Sequence, residues 1–279
     1  MINLQPLIDF AEQHPRLLII TGAGCSTAAG IPDYRDENGA WKQREPMRYH
    51  VFTGDRLARQ RYWARSMLGW RTMAHAQPTA AHHALAQLER ADRVVQLVTQ
   101  NVDGLHQAAG SRAVVDLHGR IDAVCCLACG VRSPRSALQQ ELMTRNPDWL
   151  KLDARSLPDG DADLDGLDFA AFEVPPCAQC GGMLKPDVVF FGEGVPRERV
   201  ATVREALDQA DAVLVAGSSL MVYSGYRFVE EAVTAGKPVA AVNRGRTRAD
   251  RLLTLKVEHE VGTALAGLAQ AIAQTLPGP

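Results

Sequence analysis

The chain has 279 residues, of which 46% are hydrophobic and 22% charged, and its net charge is −2. This composition is typical of a globular protein and excludes a disordered or fibrous one. No basic run is present, so we do not expect nucleic acid to be a principal partner. The apolar runs are much shorter than the roughly 20 residues that span a bilayer, and the N-terminus lacks the pattern of a secretory signal. We therefore expect no membrane segment and a cytoplasmic location.

Five short apolar runs bounded by glycine, proline or polar residues predict buried strands. In chain order these are RLLIITGAG at 16–24, RVVQLVTQN at 93–101, AVVDLHG at 113–119, ADAVLVAGSS at 210–219 and PVAAVNRG at 238–245. Helical patterns lie between them at 82–91, 197–210 and 226–235. This alternation predicts an α/β fold built on a parallel sheet.

Four of the six cysteines form two C-x-x-C pairs, Cys126 with Cys129 and Cys177 with Cys180. Each pair presents two thiolates from a tight turn, which is the geometry of a tetrahedral four-cysteine zinc site. The 47 residues between the pairs add only about 1 kcal/mol of closure entropy, which zinc binding outweighs. We favour zinc over disulfides or two redox pairs, because cytoplasmic thiols stay reduced and two such turns lie in one domain. Four thiolates leave no position for water, so this metal would be structural and Cys125 would be a neighbour.

The pattern of strands and helices is interrupted twice. The stretch 44–76 is rich in Trp, Arg and Met and predicts helix without a strand, and 123–184 contains both cysteine pairs. We therefore expect one α/β domain formed by residues 1–43, 77–122 and 185–279. A smaller domain would combine the helical module 44–76 with the zinc module 123–184.

Polar residues follow the predicted strands at their carboxyl ends, the edge at which doubly wound sheets bind ligands. They are Thr21 to Ser26, Gln100, Asn101, Asp103, His118, Ser218, Ser219, Asn243 and Arg244. After the first strand, Gly22 and Gly24 predict a tight turn that approaches a phosphate at the N-terminus of the next helix. Thr27 replaces the third glycine of the dinucleotide fingerprint and Gly30 comes three residues later. This indicates a variant nucleotide loop, although the segment taken alone is also compatible with a plain glycine turn.

His118 ends an apolar run and precedes a glycine, so its imidazole would face this edge. Imidazole titrates near neutral pH, which suits a general base. The polar residue Asn101 lies at the end of the neighbouring predicted strand. We interpret His82 and His83 as structural or surface residues. No arrangement for nucleophilic catalysis is supported, since Cys25 lies inside the glycine loop.

Together these motifs resemble the sirtuin family of NAD-dependent protein lysine deacylases. The matching segments are GAGCSTAAGIPDYR (22–35), TQNVDGLH (99–106), LHGR (117–120), the two C-x-x-C pairs, KPDVVFFGE (185–193), AGSSLMVYSGYRF (216–228) and VNRG (242–245). RYWAR at 61–65, KPDVVFFG and the long insert between the cysteine pairs are similar to the class II branch. Lipoamidase and ADP-ribosyltransferase activities are found in that branch beside deacetylation.

The resemblance implies a Rossmann-like doubly wound NAD-binding domain and a smaller zinc-binding and helical domain. NAD and an acyl-lysine protein or peptide would meet in the cleft between them, and the four paired cysteines would hold one structural zinc. The expected catalytic residues are His118 and Asn101. The expected NAD contacts are Gly22, Ala23, Gly24, Ser26, Thr27, Gly30, Ile31, Pro32, Asp33, Tyr34, Arg35, Gln100, Asn101, Val102, Asp103, Gly217, Ser218, Ser219, Asn243, Arg244, Gly245 and Val261.

The same resemblance implies a reaction. The acyl oxygen attacks the ribose carbon as nicotinamide leaves, and His118 then deprotonates a ribose hydroxyl, which gives nicotinamide, O-acyl-ADP-ribose and free lysine. The peptide would add as a strand between Gly192–Glu193 and Val222–Tyr223. Its acyl chain would pass Val188 and Phe190, which favours neutral acyl groups.

Tyr62 and Arg65 match the spacing of a Tyr-x-x-Arg pair with which one sirtuin branch binds dicarboxylate acyl groups. The pair lies about one helical turn farther from Pro78 than in that branch, and Trp70 and Arg71 occupy the nearer turn. We therefore expect the pair to be misplaced for the acyl group and desuccinylation not to be the main activity.

Three other functions fit parts of the pattern. A protein mono-ADP-ribosyltransferase would use the same pocket and differ only in its acceptor. A non-catalytic NAD- or zinc-binding interaction module would be indicated by the loss of His118 or Asn101, and both are present. A dehydrogenase is disfavoured by the missing third glycine and by the zinc insertion.

Overall fold

The computed structural model describes residues 3–42, 46–152, 156–157, 161–162, 164 and 167–275. Its strands are β1 (Leu17–Thr21), β2 (Val94–Thr99), β3 (Val114–Asp116), β4 (Gly119–Cys126), β5 (Arg132–Pro134), β6 (Ser156–Leu157), β7 (Asp161–Ala162), β8 (Leu184–Val188), β9 (Ala212–Ala216), β10 (Val239–Val242) and β11 (Leu255–Val257). Its α-helices are α1 (Gln5–Gln13), α2 (Tyr49–Gly54), α3 (Arg56–His75), α4 (Ala80–Arg90), α5 (Leu105–Ala108), α6 (Arg135–Arg145), α7 (Arg197–Gln209), α8 (Tyr223–Thr234) and α9 (Val261–Thr275).

Six strands form one parallel sheet in the order β11, β10, β9, β1, β2, β3. Successive side chains of a strand point to opposite faces, so Leu17 and Ile19 pack with α1, α4 and α9. Leu18 and Ile20 pack on the other face with α7 and α8. Helices therefore cover both faces, and the predicted Rossmann-like doubly wound sheet is confirmed. The chain runs outward from β1 on one side and from β9 on the other, which opens a crevice at their carboxyl ends.

The five predicted strands are confirmed as β1, β2, β3, β9 and β10, each shorter than its sequence run. The sixth strand, Leu255–Val257, was not predicted. It has three residues at the edge of the sheet, and all three are partly exposed, so it carries no continuous apolar signal.

A second, antiparallel sheet has the strand order β5, β4, β8. In the β4–β8 pair, Gly119 lies opposite Val188 at one end and Cys126 lies opposite Leu184 at the other, with an irregularity between them. Strands β4 and β8 cross the two expected boundaries of the zinc module, at 122/123 and at 184/185. The reason is that β4 and β8 each run without a break from the cysteine pairs towards His118, with paired residues at both ends of the ladder.

The predicted helical stretch 44–76 contains two helices, α2 and α3. Asp55 separates them, and its Oδ1 accepts hydrogen bonds from the backbone N–H groups of Leu57 and Ala58 at the start of α3. Its expected boundary at 43/44 lies outside the described residues. A third core packs α3 against α6 and includes Trp63 and Phe172. Within the part of the chain that the structure describes, no helix is both long and apolar enough to cross a membrane.

Candidate active site

A cleft of about 980 Å³ opens at the carboxyl ends of the central strands, a volume at the upper end of typical ligand pockets. Its lining includes the loops after β1, β2, β9 and β10 and residues of α2, α3 and 188–193. All the predicted NAD contacts line this cleft except Gly30 and Gly245. Gly30 ends a 3₁₀ turn with a positive φ of 80°. Gly245 packs on the backbone of Glu37, where a Cβ atom would lie 2.5 Å from the carbonyl oxygen.

Gly22 and Gly24 allow the loops after β1 and β9 to touch. A Cβ atom at Gly22 would lie 2.8 Å from the Cβ of Ser218, and one at Gly24 would lie 2.8 Å from the Cα of Gly217. This close approach therefore requires glycine at both positions. Without side chains there, the backbone of Gly22 and Gly24 lines the cleft directly.

The prediction that a helix N-terminus follows the glycine loop is wrong. Two short 3₁₀ turns, Ala23–Cys25 and Thr27–Ala29, follow β1 instead, and the next α-helix among the described residues begins at Tyr49. The N–H of Gly24 is bonded to the carbonyl oxygen of Gly217, which holds the chain against β9 rather than letting it start a helix.

The side chains after β2 form a polar cluster with the glycine loop. The Nδ2 atom of Asn101 donates to the carbonyl oxygen of Gly22 and to the hydroxyl of Ser26, both at 3.0 Å. Ser26 in turn donates to the Oδ2 of Asp103 at 2.6 Å. The Nε2 of Gln100 donates to the hydroxyl of Ser218 at 2.8 Å and so links β2 to β9. Six predicted contacts from three strand ends are therefore joined by hydrogen bonds.

Two buried histidines lie behind this cluster. The Nδ1 of His82 accepts from the backbone N–H of Thr79, so the ring proton lies on Nε2, 3.5 Å from the Ser26 hydroxyl. The ring of His106 lies 4.6 Å from that of His82, and its Nε2 contacts the Thr21 hydroxyl at 2.9 Å. Burial lowers the pKa of His82 to about 4 and that of His106 to about 3. Both rings are neutral at pH 7.

His118 lies between β3 and β4, with its ring held at both nitrogen atoms. Nδ1 is 2.9 Å from the carbonyl oxygen of Gln100, which can only accept, so Nδ1 carries the proton of the neutral ring. Nε2 is then an acceptor and lies 2.7 Å from the Ser224 hydroxyl. Desolvation lowers the pKa of His118 to about 4, with smaller contributions in the same direction from Arg199 and Arg227. The ring is therefore neutral at pH 7, and Nε2 can take up a proton.

The residue after His118 must be glycine. Gly119 has a φ of 84°, and a Cβ atom there would overlap the carbonyl oxygen of Asp187. The carbonyl oxygen of His118 also accepts from the N–H of Val189 at 2.7 Å. The backbone at His118 is thus fixed against the end of β8.

An apolar wall lies next to His118 in the cleft. Val188 and Phe190 line it, and the Phe190 ring lies 5.1 Å from that of Phe52 and 5.3 Å from that of Tyr62. Arg65, one turn along α3 from Tyr62, also lines the cleft. Tyr62 and Arg65 therefore both line the cleft, although their spacing from Pro78 predicts a misplaced pair.

Trp70 and Arg71, in the turn of α3 nearer to Pro78, contact the zinc module. The guanidinium of the buried Arg135 lies 5.2 Å from the Trp70 ring, and Arg71 donates to the carbonyl oxygen of Leu150. The extra turn of α3 packs on the zinc module, so it does not displace the turn that carries Tyr62.

Sequence reasoning missed several residues of the cleft, among them Trp41, Glu260 and Ser224. Trp41 lies 3.7 Å beneath the guanidinium of Arg35. Glu260 lines the cleft and accepts from the N–H groups of Gly262 and Thr263 at the start of α9. Ser224 lies inside the recognised segment 216–228, but only the fold shows that it reaches His118. Glu260 could have been found from the sequence, since it directly precedes α9 and carboxylates are favoured at helix N-termini.

The four paired cysteines come together at the far end of the β4–β8 ladder. Their sulfur atoms all lie within 4.8 Å of one another, with Cys126 and Cys180 at 3.5 Å and Cys129 and Cys177 at 3.9 Å. Zinc–sulfur bonds of about 2.3 Å in a tetrahedron place the sulfur atoms about 3.8 Å apart, so the cluster could hold a structural zinc. Cys125 is not part of the cluster, because neighbouring residues of a strand point to opposite faces.

A family model described as the Sir2 family matches residues 22–224. The chain is 58% identical over 264 residues to the NAD-dependent protein deacetylase 2 of Bradyrhizobium diazoefficiens, with 95% of this chain and 97% of the relative covered. It is 59% identical over 266 residues to the NAD-dependent protein deacetylase of Bordetella bronchiseptica, with the same coverage. A solved Sir2 structure with a p53 peptide and NAD+ has a TM-score of 0.76 at 26% identity and 98% coverage of both chains. A Sir2 homologue in complex with NAD has a TM-score of 0.73 at 26% identity, with 97% of this chain and 94% of that one covered.

Proposed function

The chain belongs to the Sir2 family, the sirtuins, and is an NAD-dependent protein deacetylase; we propose that His118 is its general base. The observation that carries this proposal is the neutral His118 ring, whose acceptor nitrogen Nε2 lies in the cleft. Bound NAD supplies a ribose carbon that can accept the acyl oxygen and a nicotinamide that can leave. The products would be nicotinamide, O-acyl-ADP-ribose and free lysine.

Other cleft residues would bind and orient NAD. We assign Asn101 and Asp103 to the nicotinamide side, because the hydrogen bonds through Ser26 fix both side chains against the glycine loop. Gln100 would contact the ribose. The adenosine half would lie on 217–219 and 243–244, at the ends of β9 and β10. Closure of the 23–35 loop would exclude water from the reacting ribose.

The peptide would bind where the two domains meet. Gly192–Glu193 and Val222–Tyr223 both line the cleft, which supports the expected insertion of the peptide between them. The Glu193 N–H is already bonded to the carbonyl oxygen of Phe190, so it is not available to the peptide. Broad tolerance of peptide sequence follows, since backbone contacts carry no side-chain information.

We also propose the division of labour between domains. Residues 1–43, 77–122 and 185–279 would form the NAD domain, and 44–76 with 123–184 would form the opposite wall. The four-cysteine zinc would hold the small sheet together without taking part in the reaction. A cytoplasmic location suits the reduced thiols that such a site needs.

Acyl groups longer than acetyl fit the wall formed by Val188, Phe190 and Tyr62, which is apolar and aromatic. A second candidate is a carboxylate-bearing acyl group, favoured by one observation: Arg65 lines the same cleft. We keep neutral acyl groups as the main substrates, because Tyr62 is packed between the Phe52 and Phe190 rings.

A panel of one peptide carrying acetyl, butyryl, lipoyl or succinyl lysine tests these assignments. The proposed function predicts NAD-dependent removal of acetyl and butyryl groups and formation of the matching O-acyl-ADP-ribose, detected by mass spectrometry. Faster removal of succinyl than of butyryl, lost in Arg65→Met but kept in the Arg71→Met control, would establish the second candidate. Absence of deacylation with every peptide would overturn the function.

A further inference from the structure

The Ser224 hydroxyl contacts the nitrogen of His118 on which the base role depends. Because Nδ1 carries the proton of the neutral ring, Nε2 accepts, and the Ser224 hydroxyl at 2.7 Å must donate to it. Both side chains line the cleft. Ser224 thus contacts Nε2 on one side of the ring, and the Gln100 carbonyl oxygen contacts Nδ1 on the other.

The first turn of α8 fixes Ser224 in place. Its carbonyl oxygen accepts from the Nε of Arg227 at 3.1 Å. The next residue, Gly225, packs directly on the side chain of Gln100, where a Cβ atom would lie 2.7 Å from Oε1. The residue that follows Ser224 is therefore packed against Gln100, the other residue that holds the His118 ring.

A hydroxyl suits this position because it can serve the ring in both charge states. It donates to Nε2 while the ring is neutral. When a ribose hydroxyl replaces Ser224 as the donor and Nε2 takes up its proton, the Ser224 hydroxyl can turn and accept a hydrogen bond from the protonated Nε2, since serine oxygen has two lone pairs. Neither a methyl group nor a carboxylate can do both. The charged ring needs such a partner because it is desolvated, as the lowered pKa of His118 indicates.

We propose that Ser224 is the positioning residue of His118 and keeps Nε2 aimed into the cleft before and after proton transfer. This role acts through His118 and rests on the proposed function of His118 as general base. Ser224 directly follows Val222–Tyr223, so a peptide bound on that segment would fix the turn of α8 that orients the base.

The test compares Ser224→Ala and Ser224→Thr with His118→Ala and with the control Thr234→Ala, which removes a hydroxyl at the other end of α8. A misplaced base slows the reaction, and we expect kcat of Ser224→Ala to fall about 10- to 100-fold. The KM values for NAD and for an acetyl-lysine peptide should change less than about twofold, because binding groups are untouched. Ser224→Thr should recover most of the rate, and Thr234→Ala should match the wild type.

A second readout needs no turnover. The ¹⁵N spectrum of histidine-labelled, ligand-free protein reports the protonation and hydrogen bonding of each ring nitrogen, and the missing signals in His118→Ala identify those of His118. At pH 7.5 the wild type should show a protonated Nδ1 and an unprotonated, hydrogen-bonded Nε2. Ser224→Ala should move the Nε2 signal to that of a nitrogen without a donor, and Ser224→Thr should restore it.

The outcomes separate the inference from the function on which it rests. A Ser224→Ala protein with wild-type kcat and an unchanged Nε2 signal, beside an inactive His118→Ala protein, overturns the role of Ser224 alone. A protonated Nε2 in the wild type overturns it as well. A His118→Ala protein with full deacetylation overturns the base assignment and the Ser224 role together.

Discussion

His118 and Cys126 lie at opposite ends of one strand. Gly119, the residue after His118, begins β4, and Cys126 ends it. The partner strand β8 runs from Leu184, opposite Cys126, to Val188, opposite Gly119. The cysteine cluster therefore anchors the ladder whose other end carries the candidate base and the apolar wall of the cleft.

Loss of one zinc ligand should unfold the small domain. We expect about one zinc per wild-type chain, and Cys177→Ala should lose the metal and deacetylase activity, because structural zinc contributes on the order of 10 kcal/mol to folding. Metal analysis and limited proteolysis within 123–184 would measure both effects. Cys125→Ala is the matched control and should keep its metal, since Cys125 lies outside the cluster. A stable, metal-free and active Cys177→Ala protein would contradict the structural role.

Lys185 should hold the segment proposed to bind the peptide. Its Nζ is bonded to the carbonyl oxygen of Val188 and lies 3.1 Å from Glu193 Oε2, and its side chain is only 4% exposed. Lys185→Met leaves Glu193 without its cation, which we expect to cost about 3–5 kcal/mol and to raise the peptide KM more than the NAD KM. Denaturant unfolding and steady-state kinetics would measure these changes.

The control for Lys185 is an exposed ion pair. Arg145 and Glu141 lie 2.8 Å apart on α6 with 41% and 45% of their side chains exposed. Arg145→Met should change the free energy of unfolding by at most about 1 kcal/mol. Equal effects of Lys185→Met and Arg145→Met on stability and peptide KM would argue against the assignment.

The buried histidines should make stability fall in acid. The pKa of His82 is about 4 and that of His106 about 3, both lowered first by burial, against about 6.5 in the unfolded chain. The unfolded state therefore binds more protons below pH 6.5, so stability is full above that pH and is lost as the pH falls towards 4 and then 3.

Replacing one of these histidines should flatten that dependence. From pH 7 to pH 5 the free energy of unfolding should drop by about 2 kcal/mol less in His106→Gln than in the wild type. An exposed histidine at the end of α3 supplies the control, and His75→Gln should keep the wild-type slope. Denaturant titrations at the two pH values give the comparison, and an unchanged slope in His106→Gln would show that the ring does not titrate as described.

The rate of deacetylation should stay constant well below pH 6.5. With the pKa of His118 at about 4, the base remains neutral between pH 7.5 and 5.5, whereas an ordinary histidine would be mostly protonated at the lower pH. Arg199→Gln removes a nearby cation that lowers this pKa, so it should move the acidic limb of kcat/KM to higher pH. An acidic limb of kcat/KM centred near pH 6.5 in the wild type, and unchanged in Arg199→Gln, would contradict the lowered pKa of His118.

The strand pattern and the chemistry at the strand ends could be predicted because both depend on local sequence. Apolar runs such as Ala212–Ala216 are entirely buried, and the polar residues that follow them converge on the cleft. The edge strand Leu255–Val257 could not be found in this way, since its residues are neither fully buried nor regularly alternating.

Errors arose where tertiary contacts decide the outcome. The glycine loop contains the start of a dinucleotide fingerprint, yet contact with Gly217 turns it into 3₁₀ turns. The distance from Tyr62 to Pro78 along the chain does not reveal that the extra turn of α3 packs on Arg135. The bond between Ser224 and His118 joins residues far apart in sequence, so it depends on how the first turn of α8 packs on Gln100 after β2.

The measurement that tests the central claim most directly is nicotinamide release from NAD, with and without an acetyl-lysine peptide, in wild type and His118→Ala. We expect release that depends on the peptide and is matched by deacetylation and O-acetyl-ADP-ribose, and we expect turnover in His118→Ala to fall about 10²- to 10⁴-fold. Wild-type turnover in His118→Ala would contradict the base assignment. Release of nicotinamide with no deacetylation of the peptide would instead indicate transfer of ADP-ribose to another acceptor.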